Sequence, residues 1–386
     1  MKILYVVSRA LEINTSASVR NRATILGFLE NGYDVDLFTT EPDKNHNAYD
    51  ESLAIKQVET HYVKLGGIQK LARVGRKFAC LSFAKRMVSS FLNRHEVYDN
   101  LKGIVNFVDD VNLSEKKYDY IVSSSDPKSS HLFVEKLLEK QGRNFEGKWI
   151  QIWGDPFLGD ITQKNKSKNA KIRKEEKRLL KGADKVIYVS RLTLEAQQKL
   201  YPESASKMRH LPIPYMEAIS YSLNVLSEQK TVKIVYCGDY NTGTRNIFPL
   251  YQAVREMPNV HLTICGASDC TLEAQDNVIV YGRLPWEKVQ ELEKDADILV
   301  HLSNLHGSQI PGKIYQYSGT NKPILFILDG DIEKIKEQFE VYGRYDFSMN
   351  DAADIQKTIN EMVCSNNTHI PVSEFDKKRL SKQIVE

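Results

Sequence analysis

Short, unbroken apolar runs recur along this chain, and each is followed by a stretch with helical spacing. The first run is Ile3–Val7. A helical pattern over 18–31, carried by Val19, Ile25, Leu26 and Leu29, ends at Asn31-Gly32, and a second apolar run fills 34–40. Strands that are apolar on both faces and alternate with helices belong to parallel sheets covered on both sides. The pattern returns at 118–125, 147–156 and 183–190, with helices from about Ser129 and Thr193. At 211–216 the chain reads Leu-Pro-Ile-Pro-Tyr-Met, and two prolines stiffen an extended connector of the kind found at domain junctions. A second series follows, with strands at 232–240, 260–266, 278–282, 297–303 and 323–328 and helices from Ile247, over 286–295 and over 312–318. The expected class is therefore α/β, two tandem Rossmann-like domains whose parallel sheets face a central cleft. The boundaries are 1–212 and 213–369, with a charged terminal helix, 370–386, packing back on the first domain.

Composition removes several classes. The 386 residues suit two domains of roughly 100–200 residues each. Net charge is +3, which gives no general case for nucleic acid as a partner. The five cysteines form no Cys-x-x-Cys pair, so a zinc site or a disulfide framework fits poorly and a reducing compartment fits well. The apolar run at the N-terminus is too short for a signal peptide, and no run reaches the ~20 residues that span a bilayer. The expected location is cytoplasmic, or peripheral on the inner face of the cell membrane. The turn after the first strand, 8–18, holds no glycine, which argues against a dinucleotide-binding enzyme.

Motifs narrow the field. Residues 304–325, NLHGSQIPGKIYQYSGTNKPIL, together with VYCGDYNTGTRN (235–246) and YGRLPWEKVQELEKDADILV (281–300), resemble the donor-binding half of GT-B glycosyltransferases, most of all the large retaining family called GT4. In the first half, SSSDPKSSH (123–131) and WGDP (153–156) resemble bacterial members that build surface polysaccharides. The resemblance covers nearly the whole chain and is strongest over 232–328. It implies a glycosyltransferase of hexosyltransferase type, retaining and metal-independent. The enzyme would move a sugar from a nucleotide-sugar, most often a UDP-sugar in this family, to a glycan or lipid-linked glycan.

The chemistry of a nucleotide-sugar assigns the residues. Its diphosphate is the leaving group and calls for fixed positive charge and aimed N–H donors. Gly238 permits a tight turn after a strand, Arg245 follows on the loop, and Gly312 lets backbone approach phosphate. Lys313 falls in the first turn of a helix, where a lysine is unfavourable unless an anion lies there. Arg245 and Lys313 are the expected diphosphate contacts. The backbone of Arg283 and Leu284 is placed against the base, with Gln309 and Ile310 completing the donor segment. The family's paired glutamates should fall near Ser308 and Gln316, which are not acidic but can still hydrogen-bond hydroxyls. Across the cleft, Asp155 is the expected acid-base group and His131 a second catalytic candidate, while Arg20 and Asn21, at the start of the first helix, are expected to touch acceptor. Asp126, before a proline, reads as a cap. Asp-x-Asp triplets at 34/36, 295/297 and 329/331 arise easily by chance, and no metal or other cofactor is expected beyond the nucleotide-sugar itself.

From Thr60 to His95 there is no acidic residue. Basic residues from Lys64 to Arg94 alternate with Leu71, Val74, Phe78, Leu81, Val88 and Phe91 at helical spacing. A basic amphipathic face lies well on an anionic membrane, which suits a lipid-linked acceptor. Two competitors share the fold: a nucleotide-sugar 2-epimerase and a non-catalytic subunit of a polysaccharide-assembly complex.

Overall fold

The computed structural model describes the chain except residues 67–95, 143–144, 162, 164, 228–229 and 366. Most of the basic amphipathic pattern, from Lys70 to Arg94, lies outside the described residues. Among those described, no helix is long and apolar enough to cross a membrane.

The first sheet has seven strands: β1 (Lys2–Val6), β2 (Asp34–Thr40), β3 (Glu59–Val63), β4 (Tyr120–Ser124), β5 (Lys148–Trp153), β6 (Lys185–Tyr188) and β7 (Met208–His210). Every pairing is parallel, in the order β3-β2-β1-β4-β5-β6-β7. The second sheet has β8 (Val232–Cys237), β9 (Val260–Cys265), β10 (Val278–Tyr281), β11 (Ile298–Leu302), β12 (Ile324–Leu328) and β13 (Asp346–Met349). It too is parallel, in the order β10-β9-β8-β11-β12-β13. In both, the order reverses beside the first strand of the domain. Such switch points open a crevice at the carboxyl ends of the strands, where ligands of open α/β sheets bind.

Among the described residues, the α-helices of six residues or more are α1 (Ser16–Glu30), α2 (Ser129–Gln141), α3 (Asn169–Gly182), α4 (Arg191–Leu200), α5 (Phe248–Arg255), α6 (Trp286–Asp295), α7 (Lys313–Ser318), α8 (Ile332–Glu340), α9 (Ala352–Ser365) and α10 (Lys377–Val385). Helix α1 starts where the Thr15 side chain accepts from the Ser18 N–H. It stops at Asn31, and Gly32 follows at φ 75°, the left-handed conformation that glycine takes without strain. Helix α2 takes its cap from a distance: Asp99 accepts from the Ser129 N–H (3.1 Å) and from its hydroxyl (2.8 Å). Asp126 is therefore not the cap that its place before a proline implied.

The chain crosses between the domains twice. The first crossing is the proline-bearing connector, and the second runs from Val372 into α10. The crossings touch, since the Tyr215 N–H donates to the Phe375 carbonyl at 3.0 Å. Helix α10 then lies on α1, so close that a Cβ at Gly27 would sit 2.2 Å from the Lys377 carbonyl oxygen. Its last carbonyls accept from the first domain: Tyr120 reaches Val385 (2.9 Å), and Lys185 reaches Gln383 (2.9 Å) and Ile384 (3.0 Å).

Candidate functional site

A cavity of about 390 Å³ lies between the carboxyl ends of the two sheets and is lined by both domains. A larger groove, about 600 Å³, runs over the outside of the first domain between Tyr98, Leu132 and Arg178. That groove lies among helices, away from either switch point, so the cleft cavity is the candidate site.

The second domain supplies most of the cavity wall. Strands β8 and β9 end side by side at Cys237-Gly238 and Cys265-Gly266. A Cβ at Gly266 would lie 2.0 Å from the Gly238 carbonyl oxygen, so only glycine lets these two turns touch. Beyond Gly238, the Asn241 side chain accepts from the N–H groups of Gly243 (3.1 Å) and Thr244 (2.8 Å), an Asx turn that fixes the loop. Arg245 leaves that loop and is held by amides and carbonyls. Its guanidinium donates to Asn304 Oδ1 (2.9 and 3.2 Å) and to the Asp239 carbonyl (2.6 Å). Asn304 in turn donates to the Gln309 carbonyl at 3.0 Å. Among the described residues Arg245 pairs with no carboxylate, so its charge reaches the cavity uncompensated.

Lys313 is different. It reaches the cavity wall, but its ammonium pairs with Glu293 at 2.6 Å and lies over the rings of Trp286 (5.1 Å) and Tyr317 (5.6 Å). Burial works against its charge, yet Glu293 outweighs that and raises its pKa. The ion pair therefore answers the dipole argument that motivated an anion at Lys313. Arg283 also spends its side chain. It pairs with Asp239 and donates to the Asn14 carbonyl of the other domain at 3.3 Å. Leu284, Gln309, Ile310 and Gly312 line the cavity as well. Gln309 Oε1 accepts from the Ile161 N–H at 3.4 Å, and Gly312 packs against Ser16 and Ile213.

The two positions where the resemblance implied glutamates are engaged elsewhere. Ser308 meets α4: its carbonyl accepts from Ser190 (2.6 Å) and Thr193 (3.0 Å), and its hydroxyl pairs with the Thr193 hydroxyl (2.9 Å). Gln316 borders the cavity, but Oε1 accepts from the Met216 N–H (2.9 Å) and Nε2 donates to the Pro214 carbonyl (3.0 Å). Ser308 fastens the second domain to the first, and Gln316 ties α7 to the connector, so these contacts take the place of the sugar hydroxyls that the sequence suggested.

The first domain contributes a carboxylate cluster. Asp126, Asp155 and Asp160 bring one oxygen each within 4.8 Å of one another. Lys128 lies among them, bonded to Asp126 and, at 3.2 Å, to Asp160. Burial opposes the Lys128 charge, but the three carboxylates raise its pKa, and the ammonium supplies the positive charge that such a set calls for. Asp155 lines the cavity. Its carboxyl is pushed up to about 8, first by burial and then by the charge of Asp126. Buried Glu176 holds the loop that presents Asp155 and Asp160, accepting from the N–H groups of Phe157 (2.7 Å) and Leu158 (3.0 Å) and from the Tyr201 hydroxyl (2.8 Å).

Three first-domain candidates lie beneath this surface instead of on it. His131 is fully buried, its Nδ1 2.8 Å from the Ser123 hydroxyl and its ring 4.3 Å from that of Trp153. Burial, then the nearby Lys128 and Arg20 cations, depress its pKa, so it is a neutral core group. Arg20 is buried inside α1 and donates to the Ser125 carbonyl and to the Ser124 hydroxyl (3.4 Å). It also occupies the space beside Gly154, where a Cβ would lie 2.3 Å from its guanidinium. Asn21 Oδ1 accepts from Tyr5 (3.0 Å) and Ser124 (2.6 Å). These residues set the backbone under Asp126 and Asp155 and do not line the cavity. Sequence reasoning missed Lys128, Asp160, Asn304 and Glu293. Two separate motifs, SSSDPKSSH with Asp126 and Lys128 and WGDP with Asp155, carried the only signal for the cluster.

No protein-family model matches the sequence, and no curated protein matches it. Solved structures match along the full length. Sucrose-phosphate synthase from Thermosynechococcus elongatus is 16% identical, with a TM-score of 0.58 over 100% of this chain and 94% of that one. Anabaena HepE, solved with UDP and glucose, is 11% identical, with a TM-score of 0.58 over 100% and 96%. A UDP-N-acetylglucosamine 2-epimerase is 11% identical, with a TM-score of 0.54 over 100% and 95%. With two parallel-sheet domains of seven and six strands set about one cleft, this chain has the GT-B fold.

Proposed function

We propose that the chain is a glycosyltransferase that moves a sugar from a UDP-sugar to a glycan or lipid-linked glycan of a bacterial surface polysaccharide. The observation that carries this is one cavity with a fixed, uncompensated guanidinium on one wall and a buried carboxylate, raised toward neutrality, on the other. Residues 213–369 hold the donor, and 1–212 with α10 hold the acceptor. Arg245 meets the diphosphate with its geometry set in advance by Asn304, so little reorganisation is needed as charge develops on the leaving group. Lys313 adds a weaker contribution because Glu293 already answers its charge. With the leaving group met by side-chain cations, the reaction is assigned no metal. Asp155, poised near working pH, takes the proton of the acceptor hydroxyl. HepE was solved with UDP-glucose, which supports uridine as the base. An anionic membrane is assigned to segment 64–94 on its sequence pattern alone.

Calorimetric titration with a panel of nucleoside diphosphates tests the reading. UDP binds selectively without added metal, and Arg245→Ala weakens it about 10- to 100-fold, the loss of one or two charge-assisted hydrogen bonds. Absence of binding by any member of the panel refutes the donor site. Incubation with the UDP-sugar alone separates an epimerase, which converts it, from a transferase, which waits for acceptor. The resemblance implies retention of configuration, and the anomeric proton signal of the product reads that directly.

A further inference from the structure

Two cysteines face each other on the cavity wall. Cys237 ends β8, Cys265 ends β9, and they are direct register partners across a parallel pair. Register partners point to the same face of a sheet, and here both side chains border the cavity. Both are buried and reduced. Neighbouring strands hold such partners about 4.7–4.9 Å apart, inside the span of about 4.4–6.8 Å over which a disulfide joins two Cα atoms. The remaining described cysteines differ: Cys364 is exposed, and Cys270 is half-buried on a surface loop beside Ser268.

We infer that Cys237 and Cys265 form a reversible thiol–disulfide pair, so that oxidation closes the cavity to nucleotide and bound nucleotide shields the thiols. The link to nucleotide rests on the donor assignment above; the dithiol itself does not. The oxidant is a low-molecular-weight disulfide, RSSR. The Cys265 thiolate attacks one sulfur of RSSR, forms a mixed disulfide and expels RS⁻. The Cys237 sulfur then attacks Cys265, forms the internal S–S bond and expels the second RS⁻. The two protons lost by the cysteines end on the two released thiolates. Two cysteine thiols are oxidised by two electrons, and RSSR is reduced to two RSH.

Closure follows from the packing. A disulfide brings its Cβ atoms to about 3.8 Å, roughly an ångström closer than neighbouring strands hold them. The strand ends have no slack to absorb this inward pull locally. Gly238 donates to the Cys265 carbonyl at 2.9 Å, and the Gly238 and Gly266 backbones already touch. The displacement therefore passes into the turns assigned to the diphosphate.

The unmodified protein is incubated with glutathione disulfide, with and without UDP, and digested without reduction for peptide mapping. The expected product is a Cys237–Cys265 cross-linked peptide and a loss of two hydrogens from intact mass. UDP affinity falls about tenfold or more and returns on adding dithiothreitol, and saturating UDP slows the cross-link. If Cys364 takes up glutathione while Cys237 and Cys265 stay as free thiols, the dithiol proposal is overturned. If the cross-link forms and UDP binds as before, the coupling is overturned. If the reduced protein binds no nucleoside diphosphate, the donor assignment falls, and the peptide map still decides the dithiol.

Discussion

Replacing Lys313 by alanine separates a ligand-binding lysine from a structural one. In the structure its ammonium lies 2.6 Å from Glu293, and Glu293 is itself largely buried. At that distance and an effective dielectric near 20, the attraction is about 6 kcal/mol, before the cost of desolvating both groups. The rings of Trp286 and Tyr317 add about 0.5–1 kcal/mol each. Lys313→Ala therefore leaves a buried carboxylate without its cation and costs about 3–5 kcal/mol of stability. A domain of this size loses roughly 2–4 °C of melting temperature per kcal/mol, so the midpoint drops by about 10 °C. The double variant Lys313→Met, Glu293→Leu removes both charges and recovers most of that loss. Urea unfolding of the wild type, both singles and the double variant closes the cycle, with UDP calorimetry on each. A single variant within about 0.5 kcal/mol of wild type, in the range of ordinary surface substitutions, refutes the reasoning and returns Lys313 to the ligand. If the double variant is stable and binds UDP about as tightly as wild type, Arg245 carries the diphosphate essentially alone.

Three further outcomes are expected. Asp155 has its pKa raised to about 8, so its folded form holds a proton that the unfolded chain releases near pH 4. Turnover should rise with pH through about 8 and lose that limb in Asp155→Asn. Stability should fall over the same rise in pH and fall less in the variant, as paired rate and melting profiles would show. Gln316→Glu places an acid at this position but loses the N–H donated to the Pro214 carbonyl and sets a charge against that oxygen. A stability loss of about 1–3 kcal/mol by urea unfolding is expected, and an unchanged or stabilised protein would show that the side chain is not a fastener. Gly312→Ala brings a Cβ to 2.6 Å from the Ser16 hydroxyl across the cleft, which should expand the molecule in small-angle scattering and weaken UDP binding. Unchanged scattering and affinity would show that Ser16 swings aside.

The parts of the fold that sequence made legible are those where burial on both faces forces unbroken apolar runs. Strands β1, β11 and β12 are buried along almost their whole length, and their runs stand out. Of the edge strands, β10 was read at 278–282, while β3, β7 and β13 escaped notice for the opposite reason. Strand β3, Glu-Thr-His-Tyr-Val, is mostly exposed, so it keeps polar residues and blends into the loop before it. Within the site, Arg245, Gly312 and Asp155 were readable because a motif or a strand end marks them. Glu293 was not, because its meaning comes from Lys313, twenty positions later and on another helix. Ser308 and Gln316 were expected to meet sugar hydroxyls, and no local pattern reveals that Ser190, Thr193 and the connector lie opposite them. His131 and Arg20 misled in the same way: polar residues beside a strand end read as functional, and here they support the backbone from below.

The return of α10 to the first domain has a consequence for biosynthesis. Leu380, Ile384 and Val385 are buried against that domain, and Gly27 is shaped to receive the helix. Domains usually fold as they leave the ribosome, N-terminal first. Here the first domain stays incomplete until every residue of the second has been translated. During that interval the surface of α1 that receives α10 is uncovered, open to a chaperone or to a neighbouring nascent chain. The protein's yield in a cell is therefore set in part by how quickly the second domain is made.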